Sequence, residues 1–385
     1  MSIIKPFSAF KFFIENKRKG LMTFVVLVLS ICAISLITVM INSIYESYND
    51  TFLASFTKYS LVQNNSAGLY LKQSIVDNLQ SDKDIERLVP CYIESTGTNF
   101  SIGGGATIGF FANKPDVNYF LAKLGNNVKQ GRLPNNKTNE IAVHWRVMSN
   151  KNWEIGQVVG NDKDPQEMLS GSYKIVGVLD GPNVTFVGAQ TNREKQYIKE
   201  GVDVTKPIAY AVFPKPDKLD SINSRIDKIN ESDAYVNTYS KMKLFNDQGF
   251  ESINTTLLIV ILVFTVILSI SVSSLMYLIY LQRSDEFGIL LAMGYRKSFI
   301  YRLILKEVLS LNIISWGIGL LFSYLLVQLL NILIYNPQGS ILNFFSPNVF
   351  QNTIYIPVVS LLFCVLPIFS KMRKQDPITI IERRD

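Results

Sequence analysis

The sequence predicts a membrane α-helical protein: four transmembrane helices, with a large α+β extracytoplasmic domain inserted between the first and second spans. Three observations predict it. The chain is 48% hydrophobic and only 18% charged, whereas soluble domains carry roughly 25% charged residues. The deficit is concentrated in long runs that hold no charge at all. The lysines and arginines that border those runs all fall on one side.

A transmembrane helix needs roughly 20 consecutive, largely apolar residues. Leu21 to Ser43 has no charged residue, and residues 21–45 are assigned as the first span. A cleaved signal peptide is the competing reading. This run exceeds the 7–15-residue core of a signal peptide, and Asn42-Ser43-Ile44-Tyr45-Glu46 offers no small-x-small cleavage site, so the segment is expected to stay as an anchor. Ser252 to Gln282 is a second uncharged run, giving the second span at 251–282. Val308 to Ser370 holds 63 residues without a charge, too many for one helix. Asn336-Pro337-Gln338-Gly339-Ser340 and Ser346-Pro347-Asn348 read as turns that divide it. The third span is therefore placed at 303–334 and the fourth at 353–371, joined by a short extracytoplasmic loop at 335–352.

Orientation follows from where the basic residues lie. Residues 1–20 carry Lys5, Lys11, Lys17, Arg18 and Lys19 against one acid, Glu15. The loop at 283–302 carries Arg283, Arg296, Lys297 and Arg302, and Lys371 at the end of the fourth span is followed in the tail at 372–385 by Arg373, Lys374, Arg383 and Arg384. The 335–352 loop has none. Both termini and the 283–302 loop are thus expected in the cytoplasm, with 46–250 outside. The net charge of +7 belongs to these flanks and implies no nucleic-acid partner. Cys32 and Cys364 sit in spans and Cys91 stands alone in the extracytoplasmic domain, which leaves no pair for a disulfide there. Cys91 is read as a small buried apolar residue.

About 205 residues outside the membrane suffice for a real core. Ile44, Tyr48, Phe52 and Phe56 recur every four residues over Ser43 to Lys58 and predict that the first helix continues outward. Ser240 to Phe250, with Met242, Leu244 and Phe245, leads into the second span in the same way, so that two helices form a stalk. Lys72 to Arg87 and Lys218 to Ile229 read as helices. Ile141 to Val143, Tyr173 to Leu179 and Ala209 to Phe213 read as strands. Gly103 to Gly109 lacks the Gly-Lys-Ser/Thr ending of a phosphate loop and reads as a hairpin turn. His144, the only histidine, has no paired cysteines to make a zinc site and is read as a residue at a strand end. No catalytic constellation emerges.

The 283–302 loop is the most informative stretch. Ser284 is suited to cap a helix, and Asp285 and Glu286 sit where the helix dipole favours acids. Phe287, Leu290, Leu291 and Met293 give that short helix an apolar side, and Gly294 is suited to end it. On the residues alone it is either a docking element for a soluble partner or a plain amphipathic connector.

From Gln282-Arg283-Ser284-Asp285-Glu286 through Gly288-Ile289-Leu290-Leu291-Ala292-Met293-Gly294 to Arg302 and Lys306-Glu307, the segment resembles the signature of the FtsX-like permease family. Gly317 and Gly319 fall in that family's glycine-rich third span, and Asp376-Pro377 to Arg384 is similar to its ending. Gly131-Arg132-Leu133-Pro134 with Asn139 to Val143, and Gly156-Gln157-Val158-Val159 with Tyr173 to Leu179, resemble the periplasmic core domain of MacB-type transporters.

This resemblance implies a permease subunit of an ABC transporter of the mechanotransmission type in a bacterial cell membrane. The chain itself would bear no enzyme activity and no cofactor, with ATP and magnesium held by a separate ATPase subunit. Asp285, Glu286, Phe287, Leu290, Leu291, Met293 and Gly294 would form the coupling helix that docks on that ATPase. The N-terminal segment, with Ile3, Phe7, Phe10 and Ile14 on one side, would be an amphipathic helix lying on membrane lipid. A second permease subunit, identical or not, and a membrane-fusion or lipoprotein accessory subunit are the further partners implied. The expected activity is export or extraction of a peptide, an antimicrobial compound or a lipoprotein. The alternative is a non-transporting regulator that activates a cell-wall hydrolase, and its known members have a smaller extracytoplasmic domain. A sensor or adhesin without an ATPase ranks third, and a membrane enzyme last.

Overall fold

The computed structural model describes residues 17–65, 71–98, 105–199 and 207–374. Residues 1–16 of the amphipathic segment expected at 1–20, and the family-like ending from Asp376 to Arg384, lie outside the described residues. In chain order, α1 (Lys17–Tyr48) leads to β1 (Ser60–Asn64), α2 (Gln73–Ser81), β2 (Ile85–Thr98), β3 (Gly105–Ala112), α3 (Lys114–Leu124), β4 (Asn127–Gly131) and β5 (Glu140–His144). Then come α4 (Trp145–Lys151), β6 (Val158–Val159), β7 (Tyr173–Asp180), β8 (Phe186–Ala189), α5 (Gln190–Lys199), β9 (Ala209–Pro214), α6 (Leu219–Ile226) and β10 (Ala234–Asn237). The chain ends with α7 (Tyr239–Gln282), α8 (Ser284–Ala292), α9 (Lys297–Leu330) and α10 (Pro347–Lys374). Contacts divide it into two units: a helical unit of 1–42, 252–330 and 343–385, and a sheet domain of 43–251 together with 331–342.

The sheet domain is built on strands in the order β10-β1-β9-β2-β3-β8-β5-β7-β4, with β6 added on β7. β2 joins its two halves. The first part of β2, as far as Cys91, pairs with β9, and the part from Tyr92 pairs with β3. The exchange falls beside Pro90, which has no N–H to give a neighbouring strand. α2 and α6 cover the first half through Val76, Leu79, Ile222 and Ile226 against Val62, Val212 and Val236. In the second half, Phe111, Ile141, Val143, Tyr173, Ile175 and Phe186 form a separate core. Gly109 and Gly188 make room for it. A Cβ on Gly109 would meet the Phe186 ring at 2.1 Å, and one on Gly188 would meet Phe111 at the same distance.

Three sequence expectations are corrected here. The helix expected over Lys72 to Arg87 ends at Ser81. Asp84 N donates to Asp82 Oδ1 at 3.0 Å in a turn, and Ile85 opens β2, because pairing with β9 outweighs the helical pattern. The glycine run is not only a turn: Gly105 to Gly109 lie in β3, paired with Thr98 to Glu94. The outward continuation of α1 is not a uniform α-helix. It widens into a π turn at Asn49–Leu53 and tightens into a 3₁₀ turn at Ala54–Thr57. This change of pitch still carries Tyr48, Phe52, Phe56 and Tyr59 in a row of touching rings, with centroids 5.0 to 5.5 Å apart.

Among the described residues, four helices are long and apolar enough to cross a membrane: Gly20–Thr57, Tyr239–Gln282, Lys297–Gln338 and Pro347–Ser370. Small and polar side chains join them, as expected where apolar surface alone gives no preference for helix over lipid. Gly319 of α9 lies against Ile31 and the Val28 carbonyl of α1. One turn further on, Ser323 Oγ donates to Ser35 Oγ at 2.8 Å. Pro367 in α10 cannot donate to the Phe363 carbonyl, and Ser273 of α7 does so instead at 2.6 Å. The outward residues of α7, including Leu258, Ile259, Val263 and Phe264, are apolar and exposed, as a lipid-facing surface requires. Cys32, Cys91 and Cys364 are all buried and free.

Candidate functional site

The short helix between α7 and α9 is the candidate site. Its end is set as the sequence suggests. Gly294 has φ +89, Gly294 N donates to Leu291 O at 3.0 Å and Tyr295 N to Leu290 O at 3.0 Å. This is the Schellman pattern, for which glycine is the preferred left-handed residue. The start is different. Arg283 rather than Ser284 occupies the cap position, with φ −101 and no side-chain cap bond, and Ser284 and Asp285 belong to the first turn. The reason lies in Arg283 itself. Its Nη1 bonds Glu307 Oε2 of α9 at 2.8 Å and its Nε bonds Glu286 Oε2 at 3.1 Å. Its guanidinium also lies 5.0 Å from the centre of the Phe287 ring.

The residues of α8 divide into two sets. Phe287 and Leu290 are buried, and Phe287 stacks on Tyr280 of α7 at 5.4 Å. Leu291 is half-buried. Glu286, Ile289 and Met293 point away, with side-chain exposure of 62% for Glu286 and residue exposures of 54% and 61% for the two apolar residues. Their spacing of three and then four residues puts them on one helical face. Met293, grouped with Phe287 and Leu290 by its apolar character, is therefore on the other side. An exposed Ile and Met on one short face, beside a carboxylate, make a surface that can receive a partner.

Arg283 and Glu307 are the residues that sequence reasoning passed over as site components. The signal was present: each borders a charge-free run, Arg283 after the second and Glu307 before the third. Opposite charges that close one charge-free run and open the next are candidates for a pair. They stand at a small cleft lined by Met276, Ile279, Tyr280, Phe287, Ile304, Val308 and Ile368. In that apolar setting neither charge is stable without the other. Among the described residues no three His, Cys, Asp or Glu side chains gather as a metal site.

His144 lies in the sheet domain, fully buried at the end of β5. Its Nδ1 accepts from Arg146 N at 3.2 Å and so caps α4, which leaves Nε2 as the donor to Gly181 O at 3.1 Å. Burial is the main cause that moves its pKa from 6.5 down to about 4. The ring is a structural cap.

Residues 258–377 match the FtsX-like permease C-terminal domain. The match runs from within α7 past the end of α10, and α8 with its Arg283–Glu307 anchor lies inside it. The chain is also similar to the periplasmic region of MacB from Actinobacillus actinomycetemcomitans, at 12% identity over 50% of this chain and 93% of that one, with a TM-score of 0.29. It is similar as well to the extracellular domain of the noncanonic ABC-type transporter YknZ from Gram-positive bacteria, at 11% identity over 47% of this chain and 100% of that one, with a TM-score of 0.28. No curated protein matches the chain.

Proposed function

We propose that the chain is the membrane subunit of an ABC-type transporter, working by mechanotransmission, whose ATP and magnesium are held by a separate ATPase subunit. The observation that carries this reading is the permease match around α8, a helix that anchors Phe287 and Leu290 inward and leaves Glu286, Ile289 and Met293 exposed. The ATPase docks on those three residues from the cytoplasm, the side given by Arg296, Lys297 and Arg302. Closure of a pair of ATPase subunits moves α8, and α7 passes the movement to the sheet domain outside the membrane. Two membrane subunits work together, and the cargo is a peptide, an antimicrobial compound or a lipoprotein handled at the outer face. The test is co-purification of the full chain with an ATPase subunit. Glu286→Lys with Met293→Asp should abolish it and leave membrane insertion unchanged; a variant that still carries the ATPase refutes the docking face. Capture of a cell-wall hydrolase by the sheet domain would favour the regulatory reading instead.

A further inference from the structure

Residues 331–342, which follow α9, group with the sheet domain. Asn331 closes its base with two bonds to one residue: Nδ2 donates to Leu342 O at 3.0 Å, and Leu342 N donates to Oδ1 at 2.8 Å. Within the loop, Gly339 N donates to Asn336 O and Ser340 N to Tyr335 O, both at 3.0 Å, with Gly339 at φ +72. These bonds turn three successive carbonyls outward, and each meets a donor on α4. Pro337 O accepts from Ser149 Oγ, Gln338 O from Asn150 Nδ2 at 3.5 Å, and Gly339 O from Arg146 Nε at 2.6 Å. Arg146, Ser149 and Asn150 are spaced i, i+3, i+4, which places all three on one face of a helix. A Cβ on Gly339 would lie 3.2 Å from Arg146 Cα, so the approach is close.

Both sides of this contact are built into larger elements. α4 is capped by His144 and buries Val147 and Met148 in the core. On the other side, α9 runs for 34 residues from the turn that follows α8 to Asn331, a rod of about 50 Å at 1.5 Å per residue. α8 therefore lies in sequence between two long helices. α7 leaves the sheet domain directly after β10, and α9 returns to it at the 331–342 loop.

We propose that α4 and the 331–342 loop form a clasp through which movement of α8 reaches the sheet domain along α9, a second line of transmission beside α7. The proposal rests on the docking role given to α8, but its test needs no ATPase. Hydrogen exchange is measured on the full chain in lipid nanodiscs, with Phe287→Ala used to unseat α8. In the wild-type clasp this change should alter exchange of the α4 amides at least threefold. Arg146→Ala with Ser149→Ala should speed exchange across 331–342 at least tenfold, leave α7 unchanged, and remove the response of α4 to Phe287→Ala. Arg146→Gln, which keeps an N–H where Nε stood, should retain the response. An α4 response that persists in the open clasp overturns the proposal, as does an α4 that ignores Phe287→Ala in the wild-type clasp. Failure of the wild-type chain to bind an ATPase would instead count against the docking reading and leave these exchange results standing.

Discussion

Arg283 and Glu307 meet at 2.8 Å, joining the first residue of the α8 turn to the body of α9, with side chains only 15% and 9% exposed. Each alone would be a charge in an apolar cleft. Breaking such a pair from one side costs roughly 3–5 kcal/mol, and removing both partners together costs far less. Glu307→Gln or Arg283→Met should therefore lower the thermal midpoint of the full chain in detergent, by an amount at the lower end of that range because both side chains keep some exposure. Arg283→Met with Glu307→Leu should recover most of the loss. Simple additivity of the two single changes would show that the residues do not act as a pair.

The aromatic rings of Phe186 and Phe111 occupy the space that side chains on Gly109 and Gly188 would fill, so that substitution there is not a matter of β propensity. Gly109→Ala places a methyl group 2.1 Å from the Phe186 ring. Overpacking of this kind costs about 1–3 kcal/mol. Phe186→Leu in the same chain should recover part of it, as read by the unfolding midpoint. A Gly109→Ala chain as stable as the parent contradicts the close approach.

His144 gives the sheet domain a pH dependence whose sign follows from its folded pKa. The ring is held neutral, at about 4 against an ordinary 6.5. Between these values the unfolded chain binds the extra proton and the folded chain does not, so stability rises with pH across that window. The contribution is complete above about pH 6.5 and is lost as the pH falls towards 4. The shift corresponds to something on the order of 3 kcal/mol. Thermal midpoints between pH 7 and pH 4 should fall accordingly, with α4 amides among the first to lose protection. His144→Asn should flatten that slope, since Asn has no proton to gain.

Much of this layout was legible from single features of the sequence. Charge-free runs locate the four long helices, because hydrocarbon tolerates no unpaired charge. Gly294 marks the end of α8, because a left-handed residue is needed there. What was not legible depends on partners distant in sequence. Ile85 leaves its helical pattern because β9, more than a hundred residues later, pairs with it. Met293 was misplaced because hydrophobic character does not say which apolar residue faces its own helices and which faces outward. The carbonyls of Pro337, Gln338 and Gly339 read as a turn, and nothing in their types announces donors on α4.

Gly317 and Gly319 separate two reasons for glycine in the third long helix. A Cβ on Gly317 meets nothing within 4 Å, whereas one on Gly319 lies 2.8 Å from Ile31 Cγ2 and 3.1 Å from the Val28 carbonyl. Only Gly319 sets the distance between α1 and α9. Close backbone approach through small residues is a main source of helix association in membranes. Gly317→Ala should be silent or raise stability slightly, by less than about 1 kcal/mol, through helix propensity. Gly319→Val should cost roughly 1–3 kcal/mol by overpacking, and should also stretch the Ser323–Ser35 bond that lies one turn away. Ile31→Ala opens the space from the facing side, so the pair Gly319→Val with Ile31→Ala should regain stability relative to Gly319→Val alone. Unfolding midpoints of the four chains in one detergent decide the matter, and equal losses at Gly317 and Gly319 would remove the assignment of the contact.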